Sequence, residues 1–289
     1  MNPVASTPPG QPVRRWVGCA DDFAIDAAAS DAIVALIRQG RLTATSALVD
    51  APLWATLAPQ LAAVAGGGRA DIGLHLNLTQ AFAPGTTGTW PLAELVWRCA
   101  TGNIPRPPLE AAIARQLDAF ETAMGQAPAY VDGHQHVHQF GVVRDLLIDA
   151  LQRRYPGVRI WLRSTRPPSR VRDIKAVGIA LLGDRGLRKR AAGAGFAVSP
   201  HLVGVYDFRA ANAADRAAYR QHLARWFESG SDGTVLMCHP ALRVVDGDPI
   251  AAARVMEYAY LEGAEFGAAL HRAGITLATG SALFAGAAA

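Results

Sequence analysis

Short apolar stretches of strand length alternate with longer amphipathic stretches of helical length along most of this 289-residue chain. The first apolar run, residues 16–20, ends in two aspartates, and the next segment repeats apolar residues at helical spacing from Asp26 to Gly40. Strands that alternate with helices are typical of a parallel sheet, because parallel strands need long crossover connections. The number of units favours a (β/α) barrel, complete or incomplete, over an open sheet.

The same patterns predict the remaining elements and the domain limits. Residues 1–13 are expected to be a flexible lead-in to a single barrel domain over residues 14–284. A loop over 83–108, containing a short helix over 92–99, is expected to wall a site. Further strands are predicted over 42–49, 71–78, 129–132, 158–163, 202–206, 234–238 and 275–278, and helices over 52–64, 108–124, 142–154, 174–194 with glycine interruptions, 213–228 and 249–273.

Composition narrows the class of protein. Hydrophobic residues make up 51% of the chain and charged residues 18%, which is typical of a compact globular protein. Three scattered cysteines without a CxxC pair give no indication of disulfides or a thiolate metal site, so a reducing, cytoplasmic setting is expected. No apolar run is long enough to predict a transmembrane segment. No sequence pattern indicates nucleic-acid binding. A homodimer is the default expectation and is not indicated by any particular residues.

Arginines cluster over residues 163–172 and 185–190, while the formal net charge is only +4. A solvated surface explains these clusters most simply. An anionic substrate or peripheral contact with a membrane surface is the alternative.

The segment 130–138 holds three of the eight histidines and an aspartate. Asp132, His134, His136 and His138 are each two residues apart, so in an extended segment all four side chains would share one face. Such a face could hold a metal ion or relay protons, whereas an isolated pattern of this kind is also found in histidine-rich surface loops.

Acidic and histidine side chains recur where predicted strands end, and in a barrel these ends meet at one face. One carboxylate and two imidazoles can hold a divalent ion while leaving positions open for water and substrate. Nitrogen ligands favour zinc or another transition ion, with magnesium less suited. We therefore predict Asp22, His75 and His134 as metal ligands, Asp21 as general base, and His239, from a strand on the far side of the barrel, as general acid.

Four supporting residues are predicted around this centre. Asp132, His136 and His138 are expected to orient ligands or to line the substrate groove. Arg163, at the end of its own strand, is expected to keep Asp21 ionised or to contact substrate.

Four segments, over residues 19–23, 73–79, 131–138 and 237–241, resemble the motifs of the YdjC-like carbohydrate deacetylases. That family includes chitooligosaccharide deacetylases and hopanoid-biosynthesis-associated deacetylases. The resemblance implies a distorted (β/α) TIM-like barrel related to polysaccharide deacetylases. It also implies removal of an N-acetyl group from an oligosaccharide or lipid-linked amino sugar. The metal would be held by Asp22, His75 and His134, with Asp21 as base and His239 as acid.

One position departs from the family pattern, because Ala24 stands where these proteins usually have glycine. Alanine would be strained there if the backbone needed a positive φ.

Two other functions use similar residues. A metal-dependent phosphoesterase would usually need two metals and more carboxylates than the sequence offers. A non-catalytic metal-binding protein would need no acid at position 239.

Overall fold

The computed structural model describes residues 13–208 and 214–284. The predicted lead-in lies, apart from residue 13, outside the described residues, and the domain limits stay a prediction. All strand pairs in the described ranges are parallel. The strands are β1 (Arg14–Phe23), β2 (Ala44–Ala47), β3 (Asp71–Leu76), β4 (Tyr130–Gly133), β5 (Trp161–Leu162), β6 (Ala197–Val198), β7 (Leu202–Val203), β8 (Val235–Cys238) and β9 (Ile275–Leu277).

The strands follow one another across a curled sheet in the order β6-β5-β4-β3-β2-β1-β8-β7, and β9 pairs with the start of β1. In the described ranges β6 and β7, at the two ends of this path, do not pair with each other. The predicted fold class is confirmed: the protein is an α/β protein with a TIM-like half-barrel. The helices are α1 (Ala27–Arg38), α2 (Trp54–Ala65), α3 (Leu92–Thr101), α4 (Arg106–Met124), α5 (Gly141–Arg154), α6 (Ile174–Leu181), α7 (Asp184–Gly193), α8 (Arg216–Ser229), α9 (Ala251–Glu262), α10 (Ala264–Arg272) and α11 (Gly280–Phe284).

Local sequence explains several of these boundaries. The Asp26 side chain accepts a hydrogen bond from the Ala29 N–H at 2.8 Å, and it caps α1 as predicted. Gly73 leaves room for the Tyr130 ring on the neighbouring strand, since a Cβ at position 73 would lie 2.5 Å from that ring. Tyr130 in turn stacks on Trp161 at 4.2 Å between ring centroids. These contacts pack the side chains of β3, β4 and β5 against one another.

Two predicted helices are interrupted. The long helix over 249–273 is wrong, because Gly263 adopts an extended conformation and separates α9 from α10. The region 174–194 divides into α6 and α7 at Gly183, where a Cβ would lie 2.1 Å from the carbonyl oxygen of Gln139. The second break turns the chain back toward the sheet close to the histidine segment.

None of the helices in the described ranges is both long and apolar enough to cross a lipid bilayer.

Candidate active site

The carboxyl end of β1 carries the two adjacent aspartates into the interior. Asp21 and Asp22 are each 2% exposed. The backbone turns sharply here, with φ of 67° at Asp22 and 75° at Ala24. The expected strain at Ala24 is therefore present, because an L-residue in this region carries a penalty of about 1–2 kcal/mol. A hydrogen bond from the Ala24 N–H to Ser30 Oγ, 3.0 Å long, helps to hold the turn.

Asp21 is held by a buried arginine. The Arg163 guanidinium donates to both carboxylate oxygens of Asp21, at 2.5 and 2.7 Å, and it also lies 2.8 Å from Asp132 Oδ2. Burial acts to raise the pKa of Asp21, but Arg163 and then His75 outweigh burial and lower that pKa. Arg163 thus lies where it can keep Asp21 ionised, and its role in the reaction stays a prediction.

The three predicted metal ligands converge beside this pair. The Oδ1 atom of Asp22 lies 3.1 Å from His134 Nδ1 and 3.4 Å from His75 Nε2. One donor atom from each residue falls within 4.8 Å of the others. Because these three side chains come from β1, β3 and the residue after β4, the curl of the sheet is sufficient to join them. A fully closed sheet is not required.

His75 is oriented by its neighbours. Its Nδ1 lies 2.7 Å from Asp132 Oδ1 and 3.0 Å from Ser46 Oγ, so the Nδ1–H is directed at the carboxylate and Nε2 faces Asp22. Burial acts to lower the pKa of His75, but the carboxylates of Asp132 and Asp21 raise it to about 10. Asp132 therefore lies within hydrogen-bond distance of a predicted ligand, its predicted role stays a prediction, and the surroundings favour positive charge at this point.

The donor set fits a divalent cation. Two imidazole nitrogens and one carboxylate oxygen are typical of sites that keep further positions open. A second group of close donors, Cys19, Asp21 and Asp132, already contains a cation, because the Arg163 guanidinium contacts all three side chains. In the described part of the chain only the first group remains available for a metal ion.

His239 reaches the site from the strand beside β1. The prediction that its strand lies on the far side of the barrel is wrong, since β8 pairs directly with β1 and Cys238 is opposite Ala20. His239 Nε2 lies 3.9 Å from Asp21 Oδ2. Burial lowers the pKa of His239 to about 4, so its imidazole is neutral near pH 7.

The histidine segment does not form the single extended face that its spacing suggested. Residues His134–Gln139 form short 3₁₀ turns interrupted by a kink, where φ is positive at Gln135 and His136. His138 is fully buried, and its Nε2 donates to the carbonyl of Arg163 at 2.8 Å, so it supports Arg163 and not a predicted ligand. For His136, burial and then Arg163 lower the pKa well below its usual value. Its predicted role at the groove stays a prediction.

Two charged residues of α9 complete the site and were missed from the sequence. Arg254 donates to Asp22 Oδ2 and to Asp248 Oδ2, each at 2.7 Å. Glu257 accepts from the His239 backbone N–H at 2.5 Å and from the Tyr206 hydroxyl at 3.0 Å. Burial raises the pKa of Glu257 to about 7. Their helical spacing could have indicated this, because Arg254 and Glu257 lie on the same side of α9 as its buried apolar residues.

The chain is similar in sequence to several known proteins. The family described as YdjC-like protein matches residues 17–272. A chitooligosaccharide deacetylase of Klebsiella pneumoniae subsp. pneumoniae is 27% identical over 279 residues, which cover 90% of this chain and 95% of the relative. A carbohydrate deacetylase of Mus musculus is 30% identical over 153 residues, 49% of this chain and 48% of the relative.

Among solved structures, a protein of Enterococcus faecalis described as a candidate for cellobiose-phosphate cleavage has the same fold. The two chains superpose with a TM-score of 0.66 at 21% identity, covering 94% of this chain and 100% of the other.

Proposed function

The chain belongs to the YdjC-like protein family, and from this premise and the site geometry we propose that it is a metal-dependent hydrolase that removes the N-acetyl group of an acetylated amino sugar. The observation that carries the proposal is the convergence of Asp22, His75 and His134 beside the ionised Asp21 and the imidazole of His239. The names of the Klebsiella and mouse relatives support the reaction and the substrate class.

Asp22, His75 and His134 would hold the metal ion, with zinc or another transition ion as the predicted identity. Such an ion, when bound, supplies Lewis acidity toward the acetyl carbonyl and lowers the pKa of water. The protein prepares this position by directing His75 Nε2 and Asp22 Oδ1 toward each other while their remaining polar atoms are engaged by Asp132 and Arg254.

Asp21 is suited to take the proton of the attacking water, because Arg163 fixes its orientation and keeps it ionised. His239 is neutral in the free site, so it must acquire a proton before it can serve as an acid. Asp21 Oδ2 lies 3.9 Å from His239 Nε2, and the lowered pKa of Asp21 makes transfer from the carboxyl to the imidazole favourable. The imidazole then protonates the departing amine as the amide C–N bond breaks, giving acetate and the free amino sugar.

The alternatives are less well supported. A two-metal phosphoesterase would need a second open cluster, and Arg163 fills the second group of donors found in the described residues. A metal-storage protein would have no need for His239, whose backbone is held by Glu257 so that its ring faces Asp21. Cytoplasmic location and a homodimer stay predictions.

The test is release of acetate from N-acetylated amino sugars by the wild-type protein, before and after chelation and after zinc is restored. We expect chelation to abolish acetate release and zinc to restore it. His239→Ala should lower kcat by about 10²–10⁴-fold, the usual contribution of a general acid or base.

His222→Ala provides a matched control, because His222 is a half-buried histidine that stacks on Trp226 in α8. It should retain near wild-type kcat. Full activity of His239→Ala, or activity that is insensitive to chelation, would contradict the proposed roles. Release of phosphate from sugar phosphates, without release of acetate, would favour the phosphoesterase.

A further inference from the structure

Helix α6 exposes an apolar face. Ile174 is 90% exposed and Leu181 81%, and Val177 and Leu182 are 39% and 46% exposed. Positions 174, 177 and 181 lie on one side of the helix, whereas Ala176 on the other side is buried. Large aliphatic side chains clustered on a surface in this way usually mark a contact with another molecule.

Helix α6 is connected to the candidate active site by side-chain contacts. At one end of α6, Gln139 Nε2 donates to the Ile179 carbonyl at 2.9 Å, and Gln139 ends the histidine segment. At the other end, Lys175 Nζ donates to the Tyr206 carbonyl and lies 5.1 Å from the Phe208 ring. Phe208 packs edge-on against His239. Contacts of α6 therefore lead to Gln139 at one end of the helix and, through Phe208, to His239 at the other.

The surroundings of α6 are strongly basic. Residues 166–189 contain seven arginines and lysines against two aspartates. Asp173 caps α6, and Asp184 is buried and accepts hydrogen bonds from Ser164 and Thr165, so neither offsets the surface charge fully. A cavity of 440 Å³ against α6 and α7 is lined by Val177, Leu181, Asp184 and the basic residues Arg166, Arg185 and Arg188.

We propose that α6 and the first two turns of α7 form a docking surface for an anionic lipid bilayer. An aliphatic helix face with basic residues at its border is the pattern by which helices lie in the bilayer interface, where apolar side chains enter the acyl boundary and cations meet lipid phosphates. The mixed lining of the cavity suits an anionic headgroup. As a consequence that rests on the proposed function, the site would act on an amino sugar carried at a bilayer surface.

The test is co-sedimentation of the full-length wild-type protein with vesicles, in the absence of any sugar. We expect binding to phosphatidylcholine vesicles that contain about 30% phosphatidylglycerol, weaker binding to pure phosphatidylcholine, and release at about 0.5 M salt. The double variant Ile174→Ser with Leu181→Ser should bind at least about tenfold more weakly, because both side chains would otherwise enter the apolar boundary. Val158→Ser, an exposed valine at the opposite edge of the sheet, should bind like the wild type.

Charge is tested separately with Arg185→Gln combined with Lys189→Gln, which should weaken binding to the phosphatidylglycerol vesicles several-fold and reduce its dependence on salt. Arg153→Gln, an exposed arginine on α5, is the matched control. Thermal unfolding of each variant checks that the fold is retained.

Two outcomes would overturn the proposal. One is equal vesicle binding by the wild type and the Ile174→Ser, Leu181→Ser variant. The other is an absence of vesicle binding by the wild type. If sedimentation velocity then shows a wild-type dimer that the Ile174→Ser, Leu181→Ser variant converts to a monomer, α6 is a self-association surface. An inactive protein that binds vesicles would refute only the deacetylase, and an active one that does not bind would refute only the docking surface.

Discussion

The two adjacent carboxylates at the end of β1 are neutralised from opposite sides of the protein. On the sheet side, Arg163 follows β5 and engages both oxygens of Asp21 together with one oxygen of Asp132. On the helix side, Arg254 projects from α9 and engages only Oδ2 of Asp22, while its Nε contacts Asp248. Each aspartate therefore has its own arginine.

The difference lies in what each arginine leaves open. The bidentate contact occupies both oxygens of Asp21, which keeps it ionised and oriented. The single contact leaves Oδ1 of Asp22 facing His134 and His75. Neighbouring residues of the same type are thus suited to different work, Asp21 to proton transfer and Asp22 to binding a cation. Substitutions on the sheet side and on the helix side should therefore differ in their effects.

The largest effect is expected from asparagine at either position. Asp21→Asn and Asp22→Asn should each lower kcat for acetate release by about 10²-fold or more. A loss of this size is typical when a general base is removed, and it exceeds the usual loss when a residue that only supports a metal ligand is removed. Only Asp22→Asn should also lower the bound metal, measured by elemental analysis of the purified protein. Equal loss of metal in both variants would show that the division between Asp21 and Asp22 is wrong.

The next effect concerns stability. Arg163→Leu should lower the free energy of unfolding by about 3–5 kcal/mol, because it leaves two buried carboxylates without their cation. Arg254→Leu should destabilise the chelated protein similarly, but added zinc should recover much of this loss, because the ion would lie against the same Asp22 carboxylate. Denaturant unfolding with and without zinc measures both effects.

Arg115→Leu is the control for these arginine variants. Arg115 forms a partly exposed pair with Asp50 at 3.4 Å, and its loss should change stability by no more than about 1 kcal/mol. If zinc rescued Arg163→Leu as fully as Arg254→Leu, the two arginines would not act on separate carboxylates.

The smallest effect belongs to Glu257 on the helix side. Burial raises its pKa in the folded protein from 4.5 to about 7, so between these values the unfolded chain ionises while the folded carboxyl stays protonated. The contribution of this carboxyl to the free energy of unfolding therefore falls as the pH rises from about 4.5 to 7, and it changes little at higher pH. Glu257→Gln lacks this dependence, so the stability of the wild type relative to the variant should fall over this interval by on the order of 1–3 kcal/mol.

Unfolding of the wild type, Glu257→Gln and the exposed control Glu228→Gln at several pH values measures this difference. A flat difference between wild type and Glu257→Gln would mean that folding does not raise the pKa of this carboxyl.

Much of the site could be predicted because its chemistry is local. Asp21, Asp22, His75, His134 and His239 each stand at or just beyond the carboxyl end of a strand that apolar patterning identifies, and parallel strands bring those ends to one edge. The alternation of leucines around His75 also gave its direction, away from the apolar side. Arg254 and Glu257 were not predicted, because a charged residue on an amphipathic helix is normally at the surface.

The amino-acid sequence alone predicts the class of fold and the residues able to bind a cation. These could be predicted because hydrophobic periodicity, helix capping and position at a strand end depend on residues that are neighbours in the chain. The folded structure was needed to show that His138 supports Arg163, that His239 enters from the strand beside β1, and that Arg254 compensates Asp22. It was also needed to place Arg163, for which two roles were predicted, against Asp21. Arg163 is 142 residues from Asp21, and Arg254 is 232 residues from Asp22. Electrostatic partners are chosen by distance in space within a buried region, and no local pattern in the chain records that distance.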